Sequence, residues 1–319
     1  MKDKKSIFIG LLLSLLLLAA YLGLTNGAVK VGFNQLLANP EILKLRLSRI
    51  LLALIAGSGL AVSGLIFQAI LRNPLAEPYV LGVSSGAGLG AIIGLLLGVS
   101  LIFLPLIAFI GAATTMLIVY NLAKINGKIS SQGLLLSGVI TGAIFSSLLL
   151  FFISVSTNEG MHSITWWLLG SLQLFDFKLL YIVGVIVSCG IAISLYLARD
   201  LNAISLGEEE AHHLGINVNT IRKILFIIAS IMTASIVCVC GIIGFIGLII
   251  PHAIRFIFGS DHRTLIPVSA VSSAIFLIIA DIISRVMLAP VEIPIGVITS
   301  VIGGPVFILL LRKKQKITL

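Results

Sequence analysis

Asp281, Arg285 and Glu292 are the residues of this chain best placed to do chemistry. An acid and a base lie four apart, with a second acid seven residues further on, all in or beside apolar runs. Ionisable groups in such surroundings commonly move protons or ions, so the three form a candidate relay for ion-coupled transport. All three fall near one end of their runs rather than mid-way, which counts against a relay. Arg46 and Arg49 make a second set: three apart, they share one side of a helix. They read either as interface anchors whose stems snorkel or, with Arg285, as a docking surface. Arg285 has the further option of neutralising Asp281. The remaining inventory is thin. No G-x-x-x-x-G-K-[ST] phosphate loop occurs, so ATP has no binding site of that kind here. His212 and His213 are adjacent and the other histidines scattered, which leaves no metal-ligand spacing. Acidic residues form no D-D-x-x-D cluster. Cys189, Cys238 and Cys240 sit inside apolar runs and read as small apolar fillers. Catalytic residues, a metal and a cofactor are therefore not expected; transport or scaffolding remains.

Helices in a bilayer must position these residues. Of 319 residues, 59% are hydrophobic and 10% charged, far from a soluble domain. A crossing needs about 20 apolar residues. Ten runs qualify: roughly 6–24, 47–71, 79–98, 101–123, 131–155, 178–198, 221–240, 242–258, 265–288 and 294–311. Short connections leave one transmembrane domain over residues 1–319. The basic start and apolar first run mimic a secretory signal, but the run is long and more spans follow, so a retained first helix is expected. With the N-terminus inside, most lysines and arginines fall on the cytoplasmic side, and the C-terminus ends there too. The net charge of +9 thus reports topology, not a nucleic acid partner.

Three stretches go beyond plain spans. In the first, Gly82, Gly86, Gly90, Gly94 and Gly98 recur every four residues, which predicts one smooth helix face for close packing. In the second, Ser205-Leu206-Gly207-Glu208 has capping-box spacing, three glutamates follow in the first turn, and Gly215 suits a left-handed helix stop. Asn219 or Thr220 then caps the next span. The result is a rigid two-turn helix on the cytoplasmic side, best read as a docking element. The third is broken geometry: three glycines from Gly241 to Gly247 precede Pro251, which is expected to bend or end its span, and Gly303-Gly304-Pro305 interrupts the last one. Asn39-Pro40-Glu41 looks like the cap and first turn of a short helix leading into the second span.

Several segments together resemble a known family. R-L-S-R at 46–49, N-P-L-A-E-P-Y-V-L-G-V-S-S-G-A at 73–87, W-L-L-G-S-L at 167–172 and L-G-E-E-E-A-H-H-L-G at 206–215 are similar to permease subunits of iron-siderophore and vitamin B12 ABC importers. G-F-I-G-L-I-I-P-H-A-I-R at 244–255 and E-I-P-I-G-V-I-T-S-V-I-G-G-P-V-F at 292–307 extend the match. The resemblance implies an all-α type II importer permease with about ten transmembrane helices in a bacterial cytoplasmic membrane. It implies pairing with a second permease, identical or related, with two separate cytoplasmic ATPase subunits and with an external binding protein that delivers a ferric siderophore, haem or cobalamin. Arg46, Arg49 and Arg285 match the family's docking arginines. Ser205, Leu206, Gly207, Glu208, Ala211, Leu214 and Gly215 match its coupling helix, with Ala211 and Leu214 expected to pack into an ATPase groove. Ser131 and Gln132 match the neighbourhood of its cytoplasmic gate.

Overall fold

The computed structural model describes residues 2–125, 128–174 and 176–317. Its first half runs α1 (Lys2–Thr25), α2 (Phe33–Ala38), α3 (Pro40–Ile70), α4 (Val83–Leu96), α5 (Leu104–Leu122), α6 (Ser131–Ser154) and α7 (Asn158–Leu168). The second half runs α8 (Phe177–Tyr196), α9 (Ala198–Leu206), α10 (Glu208–His213), α11 (Val218–Cys240), α12 (Ile246–Phe258), α13 (His262–Val286) and α14 (Ile295–Ile317). A two-residue antiparallel ladder, β1 (Lys124–Ile125) with β2 (Lys128–Ile129), joins α5 to α6. Among the described residues six helices are long and apolar enough to cross a bilayer, and four shorter apolar helices bring the number to the ten expected. The protein is an all-α, multi-pass membrane protein.

α3 is the axis of the bundle. Apolar or small on every side, it is buried from Leu52 to Ile70 save for Ile55 and Leu54, as a helix without a polar face should be. It packs against α13, α11, α12 and α8. Between helices in lipid no hydrophobic drive exists, so close backbone approach has to supply the contact. Gly57 and Gly64 permit it: a Cβ there would stand 2.6 Å from the Ser273 carbonyl and 2.0 Å from that of Gly247. α5, α6 and α8 present mostly exposed apolar side chains and form the rim.

Four local expectations are revised. Asn39 and Pro40 open α3 itself, one 31-residue helix, and the Asn39 amide donates back to Gln35 O instead of capping forward. Of the glycine series, only Gly86, Gly90 and Gly94 form a helix face, against Gly111, Ile107 and Leu104 of α5. Gly82 is the left-handed residue that precedes α4 (φ 77°), and Gly98 lies past its end with open space around it. Pro251 does not end its span. α12 runs through it, and the break lies upstream at residues 241–245, where Gly241 and Phe245 take positive φ (68° and 70°). Proline at 251 removes the amide that would have bonded the Gly247 carbonyl, and the Gln68 side chain donates to that oxygen instead, at 3.1 Å. α14 likewise passes through Gly303-Gly304-Pro305 without interruption.

Candidate functional site

The arginines converge at one end of the bundle. Arg49 on α3 donates to Asp281 Oδ1 on α13 through Nη2 (2.9 Å) and Nε (3.2 Å), and to both Glu292 oxygens through Nη1 (3.0 Å). Asp281 holds Arg285 with its other oxygen, at 2.8 Å. Arg285 reaches on to the Asn26 and Gly23 carbonyls, and Arg46 to those of Leu24 and Val29. Gly23, Leu24 and Asn26 belong to the last turn of α1 or just follow it, where carbonyls lack partners and favour cations. Gln173 closes the set by donating to Glu292 Oε2 at 2.7 Å. The centre of the network is buried, with Asp281 and Arg285 2% and 4% exposed, while Glu292 is half-buried and Gln173 exposed. The three residues considered as an ion relay are thus an internal brace, with each Asp281 oxygen held by its own guanidinium. Two of the three expected docking arginines, Arg49 and Arg285, turn into the protein; Arg46 is half-buried.

The interrupted stretch before α12 is completed by residues that patterning did not single out. Glu77 accepts the Phe245 N–H, and the Tyr79 hydroxyl accepts that of Ile243 at 3.2 Å. Burial pushes the Glu77 carboxyl up from its ordinary value, and the Phe245 amide opposes that shift. From the other side, Ser171 N donates to Cys240 O (2.8 Å), while Ile295 N and Gly296 N donate to Gly170 and Leu169. The loops at 77–79 and 169–171 thereby saturate backbone that neither α11, α12 nor α14 can. Glu77→Ala is expected to leave the Phe245 amide unsatisfied and to cost about 1–3 kcal/mol, read as a lower midpoint of thermal unfolding in detergent. An unchanged midpoint would deny Glu77 this task.

At the opposite end, α9 and α10 are joined at Gly207, whose backbone is extended. The expected capping box does not form. Ser205 lies inside α9 and donates to Leu201 O (2.7 Å), so α10 begins at Gly207 without a side-chain cap. Glu208 is instead spent on an ion pair with the buried Arg222 of α11. Gly215 does take the left-handed conformation (φ 77°), and Asn217, not Asn219 or Thr220, caps α11. Ala211 is fully buried against Ala203 and Ile204, so it has no surface to offer a partner; Leu206 and Leu214, 71% and 66% exposed, do. Arg222 also donates to Ile129 O at the end of β2, directly before α6. Ser131 bonds Ile70 O at the end of α3 (2.8 Å), and Gln132 is exposed. A contact chain therefore runs from α10 through Arg222 to the start of α6. Arg222 lay unread in the sequence because a lone arginine early in a span looks like an interface anchor.

The profile of the FecCD transport family matches residues 7–313, nearly the whole chain. The chain belongs to the FecCD transport family. It is 36% identical to the hemin transport system permease protein of Yersinia pestis, across 97% of both chains. To the cobalamin import system permease protein of Halobacterium salinarum it is 39% identical, covering 85% of this chain and 73% of the relative. A solved metal-chelate type ABC transporter in an inward-facing conformation superposes with a TM-score of 0.87 at 32% identity, across 97% of this chain and 99% of the other. This FecCD chain is accordingly an ABC importer permease, and the ion-coupled carrier that Asp281, Arg285 and Glu292 suggested is set aside.

Proposed function

We propose that this FecCD permease, a single transmembrane domain, carries a ferric siderophore across a bacterial cytoplasmic membrane, with both termini in the cytoplasm. It does so as one of two permease subunits, energised by two ATPase chains and loaded by an external binding protein. Haem and cobalamin, the cargoes in the relatives' names, belong to the same bulky chelate class. One observation carries this function: the exposed Leu206 and Leu214 flank a short helix tied by Glu208 and Arg222 to Ile129, just before α6. An ATPase seated on those leucines would push on α10, and Arg222 would pass the motion to Ser131 and Gln132 at the cytoplasmic mouth. Leu214→Arg is expected to cut ATP-driven uptake about tenfold in vesicles holding permease, ATPase and loaded binding protein, since one lost pocket contact of about 1.4 kcal/mol is a factor of ten. Wild-type uptake by that variant would refute the seat.

Docking at the other end has to work through the brace. Arg49 is already paired with Glu292, whose carboxylate is about one-third exposed, so a carboxylate of the binding protein must compete with Glu292 for it. Glu292→Gln is expected to tighten binding-protein affinity by up to about fivefold, the worth of a partly exposed ion pair. Weaker or unchanged affinity by surface plasmon resonance would remove Arg49 from the docking set.

A further inference from the structure

A groove on the flank of the bundle matches an anionic lipid in length, apolar lining and charge. It lies between residues 109–120 of α5 and 223–234 of α11 and holds about 320 Å³. Twelve helical residues rise roughly 17 Å, about half the hydrocarbon core of a bilayer, so the groove is one leaflet deep. A single extended chain can lie along it lengthwise. The floor is apolar and buried (Met116, Phe226 and Ala234), and the exposed walls are Leu117, Ile227 and Ile231. Ser230 adds no polarity, because its hydroxyl donates to Phe226 O at 2.6 Å. Only one end is charged. There Lys223, exposed and without a carboxylate partner among the described residues, stands at the rim, and Lys124 follows the end of α5.

We propose that this groove binds one acyl chain of an anionic phospholipid, with the headgroup phosphate over the Lys223 ammonium. In the orientation proposed above, the lipid comes from the inner leaflet. Each lysine near a membrane surface favours anionic lipid by about fivefold. The test uses the full chain in detergent micelles with equal phosphatidylglycerol and phosphatidylcholine, read by native mass spectrometry. Wild type is expected to retain one phosphatidylglycerol about fivefold over phosphatidylcholine. Lys223→Glu is expected to abolish that preference, Lys223→Arg to keep it, and Ala234→Trp, which fills the floor, to release the lipid. Equal retention of the two lipids by wild type, or a preference that survives Lys223→Glu, overturns the proposal. So does retention that persists in a folded Ala234→Trp. Lys223 is exposed, so its variants fold and the test stays decisive.

Discussion

Asp281→Ala is expected to destabilise the folded permease by about 3–5 kcal/mol, the cost of stranding buried charges without their partner. Two guanidiniums lose their common carboxylate at once: Arg285, 4% exposed, keeps only carbonyl partners, and Arg49 keeps only Glu292. Asp281→Asn preserves shape but not charge and is expected to lose nearly as much. Asp281→Ala combined with Arg285→Leu is expected to recover part of the loss, because removing both ions of a buried pair is often close to neutral. Thermal unfolding in detergent reads all three variants. A loss below about 1 kcal/mol for Asp281→Ala would mean that the brace does not bear on stability, and a double variant no better than the single would mean that Arg285 is not the stranded charge.

This arithmetic explains why charge is spent here at all. Arg49, Asp281, Arg285 and Glu292 join α3 to α13 and to the segment entering α14, while Arg46 and Arg285 satisfy the carbonyl end of α1. Four elements are fixed relative to one another at the end of the bundle where the binding protein is proposed to dock. A partner that draws Arg49 away from Glu292 would loosen the entry to α14 while Asp281 still holds α3 to α13. Docking and opening then share one side chain. Glu292→Gln probes the first half of that exchange, and Asp281→Ala removes its anchor.

The sequence shows the apolar helices, their order and the short helix that ends before Gly215 because those features are periodic or local. Runs of apolar residues mark spans wherever they fold, and Gly215 stops a helix by its own backbone freedom. What it hides is pairing across distance. Arg49 and Glu292 are 243 residues apart, and Gln68 and Gly247 are 179 apart. Nothing near Arg49 says that its charge is already met, whereas the pairing of Arg285 with Asp281, four residues away, is open to view in the sequence. Ala211 and Leu214 look alike in the sequence, yet one turn of a six-residue helix buries the first and exposes the second. Pro251 does not end α12 for a related reason: the carbonyl it orphans at Gly247 finds a donor in Gln68, far away in the sequence.

The α3–α12 contact is where that replacement can be tested most severely. Gly64→Ala is expected to cost about 3 kcal/mol or more, at the upper end for overpacking, because the added Cβ would stand 2.0 Å from the Gly247 carbonyl. Backbone is the obstacle, so no rotamer change relieves it and the two helices must separate. Separation would also stretch the Gln68 bond to the same carbonyl, leaving the oxygen that Pro251 orphaned without a donor. Ala at 64 therefore removes packing and a buried hydrogen bond together. Gly10→Ala supplies the control: no neighbouring side chain or helix comes within 4 Å of its Cβ position in α1, and alanine there is expected to be neutral or to stabilise by about 0.5–1 kcal/mol through helix entropy alone. Equal unfolding midpoints for the two variants would show that α3 and α12 tolerate a gap, and the glycine at 64 would then have no packing reason to be there.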